Sequence, residues 1–368
     1  MTKEYNFSDL KSLINLNSYT KNKSGVDENG KIFITWMENL GFSCEVNERE
    51  KIGNHLLFKS SKTEGKKVLL LGHLDTVFPL GSFENFSEDD TWIYGPGVCD
   101  MKGGNIVALE ALRNIYKEFG EIKNIDMLLV SDEETGSDDS KELTLRLSKN
   151  YDYCLVYEAA GKDGEVVTGR KGVGTFFIDI KGKASHAGNE YIKGINANLE
   201  AAHKLIALTK LTNLELGTTV NVGKLEGGIG ANTISPNAKL TVELRYTNSD
   251  ERDRVLNGFD EIVESNHVKG VTSTLSGGIQ RDVMAVNDKQ LEFVQKIESI
   301  WGKKIPTEQR GGVSDANIMA SGGVITIDGF GPFGDGDHTI HERAEKKSFA
   351  QRIELSSQIL TAFMKEEI

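Results

Sequence analysis

Val68-Leu-Leu-Leu-Gly-His-Leu-Asp75 is an apolar run that ends in two groups able to do chemistry. Four apolar residues, Val68–Leu71, are too few for an independent helix and are followed by glycine, which suits a strand buried on both faces. Strand alternation sends His73 and Asp75 to the same side, at the carboxyl end of that strand. A carboxylate two residues beyond an imidazole can hold its second nitrogen, which fixes the tautomer and leaves the other nitrogen free for a metal.

Working outward, short apolar runs at 42–46, 55–58, 125–130 and 151–157 read as further strands. Ile106, Leu109, Leu112 and Tyr116 share one face of a helix over 105–116. Ile32, Phe33, Trp36, Met37 and Leu40 mark an earlier helix that stops at Gly41. Strands alternating with helices predict an α/β fold with a mostly parallel central sheet. After Arg170 the pattern changes. Strand signals at 173–181, 218–224, 239–246 and 271–275 enclose helices at 196–211 and 250–265, the βαββαβ order of a ferredoxin-like unit. Helix 291–301, strand 324–327 and a helical tail from Ser348 resume the first pattern. The expected division is a catalytic domain, 1–170 and 281–368, with an inserted domain at 171–280.

Composition narrows the function classes. A net charge of −12 disfavours nucleic acid and anionic membranes as partners. The sequence contains no long apolar run for a membrane span, and MTKEYNFSDLKSLINL lacks the basic-then-apolar order of a leader. Three scattered cysteines, Cys44, Cys99 and Cys154, fit a reduced, cytoplasmic protein. Thirty-nine glycines against five prolines fit tight strand–helix connections.

Several acidic or histidine clusters fall where the predicted strands end. Gly95-Pro-Gly-Val-Cys-Asp100-Met-Lys-Gly-Gly104 lacks the lysine and spacing of a phosphate loop, and reads as a constrained backbone around Asp100. Glu133 and Glu134 follow strand 125–130, Glu158 follows 151–157, and His338 and His341 come late. Open α/β sheets bind ligands at the carboxyl ends of their strands. There His73, Asp100, Glu134, Glu158 and His338 supply two imidazoles and three carboxylates, enough for two divalent ions that share a bridging carboxylate. Nitrogen and oxygen donors without thiolate favour zinc, with cobalt or manganese as alternatives. His55, His203 and His267 read as structural, and Cys99 as a small buried residue.

Six motifs in order, HLDTV, GPGVCDMKGG, DEETGS, YEAA, KGKASHAG and GDGDHTIHE, resemble the dizinc metallopeptidases that include glutamate carboxypeptidase, aminoacylase, acetylornithine deacetylase and succinyl-diaminopimelate desuccinylase. YEAA, TGRKGVGTF and KGKASHAG are most similar to the glutamate carboxypeptidase branch. The resemblance implies that the insert is a lid or dimerisation domain. It implies that His73 and Glu158 bind one zinc, Glu134 and His338 the other, and that Asp100 bridges them. It gives Asp75 the task of orienting His73, and Glu133 that of general base. The residues alone leave open an exchange between Glu133 and Glu134. They also leave open His341 for His338, since each histidine has a glutamate four residues on; the Gly-Asp-Gly before His338 favours His338. By the same resemblance His186 supplies an oxyanion donor, often to the partner subunit, so a homodimer is expected. Asn232 and Arg245 grip a substrate carboxylate, while Arg310 and Ser314 line the substrate pocket. The bond after Asp100 is expected to be a non-proline cis peptide. The implied activity is cleavage of a peptide, with a C-terminal acidic residue favoured, or of another amide beside a free carboxylate. The alternatives are an N-acyl amino acid deacylase and a catalytically silent peptide-binding relative.

Overall fold

The computed structural model describes residues 6–368, so the first five residues of the segment read for a leader lie outside it. The chain forms two compact units. One takes the chain up to Gly169 together with Val286–Arg310 and Ser314–Ile368; the other comprises Arg170–Ala285 and Gly311–Val313.

The first unit is built on a six-stranded sheet in the order Ser43–Asn47, His55–Lys59, Ile125–Val130, Val68–His73, Tyr153–Val156, Ile325–Ile327. Strand His55–Lys59 runs antiparallel to both of its neighbours, and the other neighbouring pairs run parallel. Val68–His73 lies inside this sheet with every residue buried, as a strand with neighbours on both edges and packing on both faces requires. The fold is therefore the α/β class expected, with a mixed, mostly parallel sheet.

Helix Lys102–Phe119 buries Ile106, Leu109, Leu112 and Ile115 and packs on the C-terminal helix Lys346–Met364. It ends at Gly120, whose φ of 72° places it in the left-handed region while its N–H closes on the Tyr116 carbonyl. The helix begins earlier than sequence predicts. Gly103 and Gly104 resemble loop residues, yet both are helical and lie where other backbone passes too close for a side chain. A Cβ on Gly104 would lie 1.8 Å from the Tyr157 carbonyl oxygen, and one on Gly103 would lie 2.0 Å from that of Val98.

The second unit has the βαββαβ order, with strands Gly172–Lys181, Thr219–Gly227, Asn237–Tyr246 and Thr272–Arg281 and helices Ala197–Thr209 and Ser249–Glu264. Its sheet is antiparallel throughout, in the order Thr219–Gly227, Asn237–Tyr246, Gly172–Lys181, Thr272–Arg281. Phe176, Ile178, Leu240, Val242 and Leu244 meet Ala201, Leu208, Val255 and Phe259 in its core. Asn196 and Asn248 cap the two helices, accepting from the Leu199 and Glu251 N–H groups. The last strand runs beyond the expected 271–275 because Gly277 does not end it. At φ 95° a Cβ there would lie 2.2 Å from the Thr175 carbonyl oxygen, so glycine is what lets the two strands approach.

Among the described residues no helix is long and apolar enough to cross a membrane. The close approach at Gly104 gives a stability test. Gly104→Ala should cost at least about 1–3 kcal/mol, the usual range for overpacking. Gly278→Ala, where a Cβ meets open space, should stay within about 0.5 kcal/mol. Urea unfolding midpoints of both variants measure the contrast, and equal midpoints would refute the packing account.

Candidate metal centre

In the first unit His73 ends the buried strand Val68–His73, and its side chain is almost fully buried. Its Nδ1 lies 2.9 Å from the Asp75 main-chain carbonyl and 3.5 Å from Asp75 Oδ1. A carbonyl only accepts, so the Nδ1 proton is fixed there and Nε2 is left as the electron-pair donor. Asp75 therefore orients His73 through its backbone more closely than through its carboxylate. Asp75 Oδ2 instead accepts from Thr20 Oγ1 at 2.7 Å and from the Glu134 N–H at 3.3 Å, which ties the His73 strand end to the glutamate turn. Asn105 Nδ2 donates to the His73 carbonyl at 2.7 Å, and a Cβ on Gly72 would lie 2.1 Å from Asn105 Oδ1.

Asp100 stands between two imidazoles. His73 Nε2 is 3.1 Å from Oδ1, and His338 Nε2 is 3.2 Å from Oδ2. Each imidazole also faces a second carboxylate: His73 Nε2 lies 3.7 Å from Glu158 Oε1, and His338 Nε2 lies 3.1 Å from Glu134 Oε2. Ligand atoms of His73, Asp100 and Glu134 fall within 4.8 Å of one another, and so do those of His73, Glu133 and Glu158. Glu133 and Glu134 begin the one-turn 3₁₀ segment Glu133–Thr135, which directs adjacent carboxylates differently. His341 is exposed, and its backbone N–H donates to Thr339 Oγ1.

The loop carrying Asp100 is gripped by Glu342, which sequence places only as a spacing partner of His338. Its buried carboxylate accepts from the Gly97 N–H at 2.9 Å, the Cys99 N–H at 3.0 Å and the Asp100 N–H at 3.1 Å. Glu342 follows His338 on the loop between strands Gly334–Asp335 and Arg343–Glu345, so one side chain couples the Asp100 and His338 loops. The signal available in sequence was the fixed His-x-x-x-Glu interval, but three N–H partners some 240 positions away leave no local trace. Cys99 Sγ is turned to Glu342 rather than to the imidazoles. The Asp100–Met101 bond is cis, as the resemblance implied.

Electrostatics in this cluster call for positive charge. Burial, and then the Asp100 charge, push Glu134 up to about 8 and Glu158 well above the ordinary carboxylate range. Burial would also raise Asp100, but hydrogen bonds from His338 and His73 hold it below its usual value. His338 is pushed up to about 11 by its bonds to Asp100 and Glu134. Burial works against the charged form of His73, and hydrogen bonds to Asp100 and Asp75 nevertheless raise it. Converging carboxylates that draw in protons at both imidazoles have the donor chemistry that divalent cations satisfy better. The set of two imidazole nitrogens and carboxylate oxygens fits a zinc-type pair.

The remaining candidates lie in other settings. Arg310, in the first unit, donates through Nη1 to the Ala159 carbonyl at 2.9 Å and through Nε to Glu308 at 2.8 Å. Ser314 is buried and its hydroxyl donates to Asp328 Oδ2 at 2.7 Å, so that group is committed to the loop's own fold. His186, Asn232 and Arg245 belong to the second unit. His186 bridges Thr233 antiparallel, and the Ala187 N–H donates to the Asn232 carbonyl, so His186 and Asn232 lie side by side. Arg245 pairs with Glu243 through Nε at 2.9 Å and Nη2 at 3.1 Å, and its Nη1 donates to the Gly311 carbonyl.

Comparison with known proteins agrees with the fold. Carboxypeptidase G2 of Pseudomonas sp. (strain RS-16) is 28% identical over 341 residues, which cover 90% of this chain and 82% of that protein. Acetylornithine deacetylase of Aliivibrio salmonicida (strain LFI1238) is 31% identical over 265 residues, 66% of this chain and 67% of that one. The crystal structure of aminopeptidase PepT from Bacillus cereus ATCC 10987 superposes with a TM-score of 0.81 at 23% identity, over 97% of each chain, a likeness of fold. A family model matches residues 69–362, from the central strand through the last histidine loop and into the C-terminal helix, and on that match the chain belongs to peptidase family M20/M25/M40.

Proposed function

We propose that this M20-family hydrolase uses two zinc-type ions to cleave a peptide or N-acyl amide bond beside a free carboxylate, with a C-terminal acidic residue favoured. The observation that carries the reading is the placement of Asp100. Each of its oxygens faces its own imidazole, and each imidazole has its own further carboxylate. Two half-sites sharing one carboxylate is the arrangement a bridged cation pair needs. In the proposed assignment His73 and Glu158 hold one ion, Glu134 and His338 the other, and Asp100 bridges. Bound there, the cations would polarise the amide carbonyl and lower the pKa of water to about 7.

The chain's own groups supply the rest. Glu133, buried beside His73 and Glu158, takes the proton of the attacking water and passes it to the departing nitrogen. Burial strengthens that carboxylate's electrostatic reach. His186 is assigned to the oxyanion: its Nδ1 accepts from the Gly188 and Asn189 N–H groups at 3.2 Å each, so the proton sits on Nε2, which is a donor. Asn232 and Arg245 are assigned to the substrate carboxylate and Arg310 and Ser314 to the lining of the pocket, where Ser314 holds its loop through Asp328. The similarity to a carboxypeptidase over most of the chain supports a peptide substrate. That to an acetylornithine deacetylase supports the second reading, removal of an acyl group from an amino acid.

A homodimer through the second unit completes the reading. Strand Thr219–Gly227 is an edge of its sheet, and Leu199, Ile206, Leu225 and Ile229 stand exposed on the same unit. An unpaired edge beside apolar side chains is a surface that a second copy would cover.

Metal analysis should find close to two zinc-type ions per chain, and a chelator should abolish amide hydrolysis; no metal and no chelator-sensitive turnover would favour the silent peptide-binding relative. A panel of dipeptides ending in Glu, Asp or a neutral residue, set beside N-acetyl amino acids, separates peptidase from deacylase. Glu133→Gln should lower kcat by about 10²–10⁴-fold with both ions retained, whereas Glu134→Gln should lose one ion; the reverse pattern would exchange their roles. Light scattering should give twice the 40.5 kDa chain mass, with Leu199→Glu/Ile206→Glu reverting to monomer.

A further inference from the structure

The histidine at position 55 has no part in the chemistry above, and in sequence it reads as a plain structural residue. It opens strand His55–Lys59, which pairs with Ile125–Val130, the strand that runs into the glutamate turn. Its side chain is fully buried, and both ring nitrogens are engaged. Nδ1 lies 3.1 Å from the Ser131 backbone nitrogen. An amide N–H only donates, so Nδ1 is the acceptor and the ring proton is on Nε2. Nε2 lies 3.0 Å from Asp139 Oδ1, a carboxylate that also receives the Arg49 guanidinium.

Ser131 and Asp139 are the two legs of the segment that holds Glu133 and Glu134. Within it the Asp139 N–H donates to Asp132 Oδ2 at 2.8 Å, and the Ser140 N–H donates to the same oxygen at 3.2 Å. The Asp132 carbonyl accepts from the Ser137 N–H at 2.9 Å, and the Glu133 carbonyl from the Gly136 N–H at 2.9 Å. Ser131 Oγ donates to the Asn54 carbonyl at 2.8 Å. Asn54, Asp75, Arg49 and Asp315 also reach this segment from elsewhere, each at one point, whereas His55 spans the base of the loop from one leg to the other.

We infer that His55 is a positioning residue for the catalytic turn: a neutral imidazole of fixed tautomer that joins Ser131 to Asp139 and so sets where the Glu133 carboxylate points. This rests on the reading of Glu133 as the base. A buried apolar residue would fill the space but leave the Ser131 N–H without its acceptor and Asp139 with Arg49 alone. Glutamine can replace both bonds, accepting with its amide oxygen and donating with its amide nitrogen.

The test uses full-length protein reconstituted with Zn²⁺, comparing wild type, His55→Leu, His55→Gln and Glu133→Gln. With the best dipeptide or N-acetyl amino acid of the panel, His55→Leu should lower kcat by about 10–100-fold, the scale of a displacement near 1 Å in a catalytic group. KM should stay within about twofold and metal content should not change. His55→Gln should recover most of the loss. Hydrogen exchange over residues 131–140 gives a readout independent of turnover: protection should fall in His55→Leu and return in His55→Gln. Unchanged exchange in His55→Leu, or an equal loss in His55→Gln, would overturn the inference. If Glu133→Gln keeps wild-type turnover while the exchange pattern holds, the assignment of the base has failed and the strut has not.

Discussion

Everything near the centre answers to one constraint, the crowding of negative charge around Asp100. Its two oxygens face imidazoles at 3.1 and 3.2 Å, while Glu134 and Glu158 crowd the same ring nitrogens. Carboxylates brought this close in a poorly solvated place repel one another, and the ones least compensated rise well above their ordinary range. Such a cluster persists only when the surrounding structure imposes it. The strand ends, the glycine-rich loop and the Glu342 clamp are the means by which it is imposed.

The imposition is largely a matter of backbone. His73 is oriented by a main-chain carbonyl, Asp100 by a carboxylate that binds its loop's N–H groups, and Glu134 by the N–H that Asp75 receives. Helix Lys102–Phe119 comes close enough to hold the His73 strand end through Asn105 because Gly72, Gly103 and Gly104 have no side chain to keep it away. Lys102 adds to this: buried, it donates to the Leu13 and Leu16 carbonyls at 2.8 and 2.9 Å, and burial pushes its ammonium down to about 7. Groups held through backbone geometry in this way need little reorganisation to receive cations, which is the pre-organisation a catalytic centre requires.

The second unit follows a different economy. Its core is one layer of alternating strand residues under two helices, and its polar candidates sit on loops and strand ends. Arg245 is engaged with Glu243 and the Gly311 carbonyl, so in the proposed role a substrate carboxylate would share that guanidinium with partners already present. The short return of Gly311–Val313 to this unit, between stretches of the other, is invisible to any reading that takes domains as continuous runs.

What was legible in the sequence followed from periodicity and from chemistry packed into short intervals. The all-apolar run at 68–71, the helical face of 106, 109 and 112, and the alternation in 173–181 each announce their burial because neighbours in the chain share one environment. The ligand candidates were legible too, since residues at strand ends occupy predictable places in an α/β sheet. Short elements such as Ser8–Ile14, Trp92–Tyr94, Lys141–Ser148 and Ala316–Ser321 left too few turns or alternations to register. Other features needed the tertiary structure because the partners are remote in sequence: Glu342 acting on Asp100, His55 joining Ser131 to Asp139, and glycines chosen for a neighbour's backbone. The sequence by itself therefore determined the longer elements and offered the candidate side chains at their ends, because those depend on short-range pattern. Only the folded chain decided how those side chains are aimed, because direction is set by hydrogen bonds and close contacts between segments far apart in the sequence.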